Sequence, residues 1–221
     1  ARGMRAPELI SGAEQDLLLA DVIAEADHES LGWPKHINEQ VLTLKGFRAE
    51  LRELLTVCLE HNVSPVALAA LATEADSPKW ASASVLLEAY LQKLRQPEFE
   101  NRHDASTLLS VATELLVDPT SVLPEVEQIR LILVDDAQEL TPAAKRLLQA
   151  LVRPEVGLVL FGDPDAATLG FRAADPRSMT VLMRTVSTEF EQIVLRSQGA
   201  RSPELARVLA NISAELPRSE E

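Results

Sequence analysis

From Glu8 to about Pro124 the apolar positions recur at helical spacing. Ser11-Gly12-Ala13-Glu14 has the form of a capping box, in which the serine caps the N–H three residues on. Leu17, Leu18 and Val22 follow as an apolar stripe beside the acidic Asp21 and Glu25. The stretch Asp27 to Asn38, holding Gly32-Trp33-Pro34, reads as a loop. A second helix is predicted from about Gly46 to Glu60, with Phe47, Leu51, Leu54, Leu55 and Cys58 on one face. Ser64-Pro65 and Ser77-Pro78 each pair an N-cap residue with proline at the first helical position, and open two more helices. The second of these carries Trp80, Leu86, Leu87, Tyr90 and Leu94. Asp104 caps a further helix through Val117, and Asp118-Pro119 ends it.

After Ile129 the pattern changes. Arg130-Leu131-Ile132-Leu133-Val134 is an unbroken apolar run that ends in two aspartates, the mark of a parallel strand buried on both faces. Thr141-Pro142 opens a helix to Leu151, and Val156 to Phe161 forms a second such strand ending in Gly162-Asp163. Asp175-Pro176 opens a helix to about Val186, Phe190 to Leu195 is a third strand candidate, and Ser202-Pro203 opens a last helix to about Ala214. This strand–helix alternation predicts an α/β fold, with a parallel sheet joined by right-handed crossovers and preceded by an all-α region. The expected division is a helical region over 1–125 and an α/β region over 126–221.

Composition narrows the class. The 221 residues are 46% apolar and 25% charged, an ordinary globular balance. Net charge is −13, which disfavours a free-standing nucleic-acid binder, because phosphate neutralisation needs Lys and Arg. The charge is uneven. Residues 1–125 hold 10 Lys/Arg against 20 Asp/Glu, and 126–221 hold 11 against 14. The helical region therefore carries −10 and the α/β region −3. A single cysteine, Cys58, excludes an internal disulfide and suits a reducing cytoplasm. Its place on an apolar helical face makes it a core thiol. His28, His36, His61 and His103 are scattered without metal-ligand spacing. Trp33, Trp80 and Tyr90 are expected to pack the helical region. No apolar run reaches the length of a membrane span, and Ala1-Arg2-Gly3-Met4-Arg5 is not followed by the apolar core of a signal peptide.

The candidate chemistry lies where the strands end, since ligands of open α/β sheets bind beyond the carboxyl ends of strands. Two of the predicted strands end in acids, at Asp135-Asp136 and Gly162-Asp163. One carboxylate at such a position holds a metal–nucleotide complex, and a second orients or deprotonates an attacking water. A strand-end aspartate more often only caps the next helix, so Asp135-Asp136 alone carries little weight. Its linkage to the second segment carries more. Asp135-Asp136-Ala137-Gln138-Glu139 is followed, one helix and one strand later, by Gly162-Asp163-Pro164-Asp165 and then Gly170-Phe171-Arg172-Ala173-Ala174.

That pair resembles motifs II and III of the UvrD/PcrA/Rep superfamily of DNA helicases, D-E-x-Q-D and G-D-x-x-Q-S-I-Y-G-[WF]-R-G-A. Arg201-Ser202-Pro203 resembles the end of the family's motif IV, N-Y-R-S, with Gly199-Ala200 in place of Asn-Tyr. Leu9 to Asp16 and Gly46 to Arg52 look like segments preceding motif II in actinobacterial helicase–nucleases of the AdnAB type. The relaxed motif at Asp136 and Ala137 resembles the AdnA subunit more than its partner. The resemblance implies a RecA-like (P-loop NTPase) motor domain over 126–221 and a helical 1B-like insertion over 1–125. It implies Mg²⁺ on Asp135, Asp136 at the place of the general-base glutamate, and Gln138 as the coupling glutamine. Gly162 and Asp163 match the start of motif III, and Arg172 an arginine that ties the motifs together. Phe171 stands where an aromatic stacks on single-stranded DNA, and Arg201 where a cation meets the γ-phosphate. Phe171 as a plain buried aromatic and Arg201 as a surface arginine are equally consistent with the residues alone.

The departures matter as much. Ala166 stands for the γ-phosphate-sensing glutamine and Leu169 for a tyrosine, while Asp136 is one methylene short. None of the eight glycines is followed by lysine, so the chain holds no G-x-x-x-x-G-K-[ST] loop to cradle phosphate. The expectation is a piece of a longer ATP-dependent DNA repair helicase, inactive and a poor DNA binder by itself. ATP, Mg²⁺, DNA and a paralogous motor–nuclease subunit would then be partners of the longer protein. A degenerate structural subunit that keeps the fold without hydrolysis is the second reading. An unrelated acidic α/β domain with an accidental motif match is the third, and strands ending at Asp135 and Asp163 that are not neighbours in one parallel sheet would favour it.

Overall fold

A computed structural model describes residues 6–27, 31–121, 123–168, 175, 177–187, 189–195 and 202–214. The chain starts with β1 (Glu8–Leu9) and α1 (Gly12–Glu25). Next come α2 (Glu39–Leu42), α3 (Lys45–Glu60), α4 (Pro65–Glu74) and α5 (Pro78–Leu94). Then β2 (Arg102–His103), α6 (Ala105–Val117) and α7 (Pro124–Glu127) lead into β3 (Leu131–Val134), α8 (Pro142–Leu151) and β4 (Gly157–Leu160). The chain continues to α9 (Ser178–Val186) and α10 (Pro203–Ala214).

The helix starts follow from side chains that satisfy otherwise unpaired N–H groups. Ser11 Oγ accepts from the Glu14 N–H while Glu14 returns a carboxylate oxygen to the Ser11 N–H, completing the capping box. Ser64 caps α4 at Ala67, Asp104 caps α6 at Thr107, and Thr141 caps α8 at Ala144. Ser77 precedes α5 without a side-chain cap. Its N–H donates to the carbonyl of Ala72 instead, across the left-handed Asp76, so that α4 and α5 fold back on one another.

The helical core gathers Leu18, Leu19, Val22 and Ile23 of α1, Leu51, Leu55 and Cys58 of α3, and Leu86, Leu87 and Tyr90 of α5. Cys58 is buried there, and desolvation pushes its thiol pKa up, as suits a packing thiol. Trp33 meets Phe47 edge to face with ring centroids 5.4 Å apart. Two expected core residues lie outside. Leu17 is exposed because the buried stripe of α1 runs one position further on, and Trp80 is exposed because the first turn of α5 projects past the core.

β1 and β2 form a parallel pair that the apolar pattern did not predict. Each strand is two residues long, too short to show alternation. Arg102 of β2 pairs with Glu8 of β1 and with Glu14 of α1, and lies over the Phe99 ring. The Ser11 backbone N–H, the Ser11 hydroxyl and then Arg102 hold the Glu14 carboxyl at about 2 against an ordinary 4.5. A lowered folded-state pKa stabilises above the unfolded value and loses that contribution as pH falls toward the folded one. Glu14→Gln is therefore expected to lower the urea midpoint at pH 7. Its deficit should shrink as pH drops from about 4.5 toward 2, and a deficit constant across that window would contradict the assignment.

β3 and β4 pair in parallel, Leu131 opposite Gly157 through Val134 opposite Leu160, with α8 between them in sequence. The strands ending at Asp135 and Asp163 are thus sheet neighbours, the opposite of the arrangement that would favour the third reading. Two expectations need correction. The strands are not buried on both faces: Leu131, Leu133 and Val159 are exposed, and only the alternate residues are partly covered. A continuous apolar run does not reveal whether both faces are covered. Phe190 to Leu195 takes part in no strand, and Ile193, Val194 and Leu195 are exposed. A strand exists through hydrogen bonds to a neighbour, and among the described residues β3 and β4 pair only with each other. The described fold is mixed α/β, mostly helical, with two short parallel strand pairs. The helical layer reaches the second pair through α6, which packs along α8, and through the end of α3. Among the described residues no single helix is long and apolar enough to cross a membrane.

Candidate functional site at the ends of β3 and β4

The ladder continues past the strands. The Phe161 N–H donates to the Val134 carbonyl and the Ala137 N–H to the Phe161 carbonyl, each at 2.8 Å. These bonds hold the turn after β3 against the turn after β4. Between them the chain reverses at Asp136, whose φ of 49° lies in the left-handed region. Aspartate tolerates that region better than most side chains. The Asp136 N–H donates back to the Asp135 carboxylate at 3.0 Å, and both carboxylates are exposed. A short 3-10 turn over Ala137–Glu139 then leads into α8.

Gln138 joins the two acid-bearing turns. It is buried, with its amide nitrogen 3.5 Å from an Asp136 carboxylate oxygen and its carbonyl oxygen 3.2 Å from the Asp163 N–H. Gly162 makes this close approach possible. A Cβ there would lie 2.5 Å from the Gln138 carbonyl oxygen and 2.8 Å from Met179 Sδ. Asp163 Oδ1 accepts from the Asp165 N–H at 3.0 Å and starts the 3-10 turn Pro164–Ala166. Asp135, Asp136, Gln138, Gly162 and Asp163 therefore share one end of the parallel pair. Phe171, Arg172 and Arg201 lie outside the described residues, as does Leu169.

Three features of this end were missed in the sequence. Glu139 receives both the N–H and the hydroxyl of Thr168, at 2.7 and 2.8 Å, and so fastens the chain beyond the second turn to the first. Ser178, fully buried at the start of α9, receives Lys145 Nζ at 3.2 Å and donates to the Leu140 carbonyl at 3.4 Å. Near it, the Arg177 backbone N–H lowers the carboxyl pKa of Asp175, with help from the Arg177 and Lys145 charges. Glu60, on α3, reaches α8 through its carboxylate. For Glu139 the only signal was its place at the end of the acidic run. For Ser178 and Glu60 there was none, since their partners are 33 to 86 residues away.

The donor set suits a hard divalent cation shared with phosphate. Among the described residues no three His, Cys, Asp or Glu side chains are placed to cage a metal. Mg²⁺ does not require a cage, since it commonly takes one or two carboxylates and completes its shell with water and phosphate oxygens. Asp135, exposed at the strand end, fits that part.

Residues 8–187 match the model of the UvrD/REP helicase N-terminal domain. The chain is also similar to "Putative ATP-dependent DNA helicase YjcD" of Bacillus subtilis (strain 168), at 28% identity over 83 residues. That stretch is 37% of this chain and 11% of the relative, so the chain spans only a small part of that protein's length. With the family match covering most of its residues, this chain belongs to the UvrD/REP helicase N-terminal domain family.

Proposed function

We propose that the chain forms part of the nucleotide-hydrolysing motor of an ATP-dependent DNA helicase. The observation that carries this reading is the joining of Asp135-Asp136 to Gly162-Asp163 by parallel pairing, with buried Gln138 bridging them. Residues 126–221 then act as the later part of a RecA-like motor domain, and 1–125 as a helical 1B-like insertion. The AdnA-like resemblance of the relaxed motif makes a paralogous motor–nuclease subunit the natural partner, in DNA break repair in the cytoplasm.

Asp135 would hold the Mg²⁺ of the Mg²⁺–ATP complex, and bound Mg²⁺ would neutralise charge on the phosphates during transfer. Asp136 would orient or deprotonate the attacking water from its left-handed turn. Gln138 would report changes at Asp136 to the turn at Asp163, through one amide that touches both. Phe171 would stack on a single-stranded base, Arg172 would tie the motifs, and Arg201 would meet the γ-phosphate. The sequence holds no phosphate-cradling Gly-Lys loop, so the activity needs a polypeptide that adds one, and the 221 residues alone should not turn over ATP.

The second reading, a structural subunit without hydrolysis, is favoured by Ala166. It ends the 3-10 turn beside Asp163 where the family's glutamine stands, and its methyl group cannot hydrogen-bond. ATP turnover with single-stranded DNA separates the two readings in the full-length protein, assayed as wild type and as Asp136→Glu. The motor reading expects measurable turnover that rises in Asp136→Glu, by about tenfold as general-base geometry improves. No turnover in either would support the structural subunit.

A further inference from the structure

A buried carboxylate of the helical layer binds the start of α8, the helix that follows the acid-bearing turn. Glu60, the last residue of α3, is 5% exposed, and both of its oxygens are engaged. Oε1 accepts from the Ser106 hydroxyl of α6 at 2.6 Å. Oε2 accepts from the Ala143 N–H at 3.0 Å, in the first turn of α8. Helix α8 already has its own cap, Thr141, which serves Ala144. Glu60 takes the Ala143 N–H that Thr141 leaves, and it places a formal negative charge at the positive end of the helix dipole. Arg146 of α8 returns the link, donating to the Glu60 carbonyl at 2.7 Å. Helix α8 begins six residues after Asp136, with the 3-10 turn and Leu140 between them. The opposite side of that connection is held by Ser178 on the Leu140 carbonyl.

We propose that Glu60 is a positioning residue: it fixes the start of α8 against α3 and α6, and through it the placement of Asp136 and Gln138. Core packing does not account for the arrangement. A buried carboxylate costs desolvation and is kept only where donors compensate it, and these donors come from two different elements. Movement of the helical layer relative to the strand pair is thereby transmitted to the start of α8 by two hydrogen bonds, Ala143 and Arg146 to Glu60, with Ser106 holding the carboxylate in place. The consequence for hydrolysis rests on the nucleotide reading of Asp135-Asp136; the mechanical link does not.

Amide hydrogen exchange on the 221-residue chain tests the link. Glu60→Ala is expected to speed exchange of the amides from Ala137 to Ala143 by about tenfold, and those of α4 and α5 much less. Glu60→Gln offers one oxygen to Ala143 and an N–H to the Ser106 oxygen, and is expected to restore protection to within about threefold of wild type. A purely structural role would raise exchange in both regions alike, and that result would overturn the proposal. If Glu60→Ala fails to fold, Ser106→Ala frees Oε1 alone: about threefold faster exchange at Ala137 to Ala143 supports the link, and no change overturns it. In the full-length protein, Glu60→Ala is expected to lower kcat for ATP with KM little changed. Selective exchange without any wild-type turnover would refute the nucleotide reading and leave the link standing.

Discussion

Gly162→Ala is expected to destabilise the chain by about 2 to 4 kcal/mol and to separate Gln138 from Asp163. The new Cβ would fall 2.5 Å from the Gln138 carbonyl oxygen, 2.8 Å from Met179 Sδ and 3.2 Å from the Ala137 backbone nitrogen. The backbone nitrogen cannot retreat without breaking its 2.8 Å bond to the Phe161 carbonyl. Gln138 therefore has to give way, although its amide is buried and bonded on both sides. The cost combines steric overpacking with unpaired buried polar groups. Gly12→Ala makes the matched control, because a Cβ there meets nothing within 4 Å. It should leave stability unchanged or raise it by up to about 1 kcal/mol. Urea unfolding of the two variants, with the Asp163 amide followed by NMR, reads both outcomes. Equal midpoints for the two would contradict the close approach at Gly162.

Elements whose causes are local were legible in the sequence. Ser64-Pro65, Asp104 and Thr141-Pro142 set helix starts by bonding their own neighbours, and the apolar runs at 131–134 and 157–160 became strands. The juxtaposition of Asp135-Asp136 with Gly162-Asp163 followed from the strand–helix–strand order, which brings strand ends to one side of a parallel pair. Features that depend on distant partners were not legible. β1 meets β2 across more than 90 residues, with two residues on each side. Glu60 closes a predicted helix with no local partner to mark it, and only the fold shows that it is buried between α6 and α8. The apolar stretch at 190–195 illustrates the converse, since an apolar sequence does not supply its own pairing edge.

The charge pattern also takes on a specific meaning. Part of the acidity of the helical region is structural: Asp16 meets Arg48 of α3, Glu25 meets Lys93 of α5, and Glu14 meets Arg102. These pairs join one element to another. The strongly negative balance thus describes the helical layer more than the acid-bearing end of the strand pair.

Asp135→Asn is expected to have the largest effect on activity. It removes the exposed strand-end carboxylate that the proposed function gives to Mg²⁺ while keeping shape and an acceptor for the Asp136 N–H. Turnover of ATP by the full-length protein should fall on the order of a hundredfold, the scale seen when a preorganised charge is lost from a transition state. Stability should change little, because the side chain is exposed. The most direct test replaces Mg²⁺ by paramagnetic Mn²⁺ with ATP in the full-length protein and maps the broadened amides. Broadening centred on Asp135 and Asp136, and abolished in Asp135→Asn, is the predicted result. Broadening centred elsewhere, with Asp135→Asn turning over ATP like wild type, would contradict it.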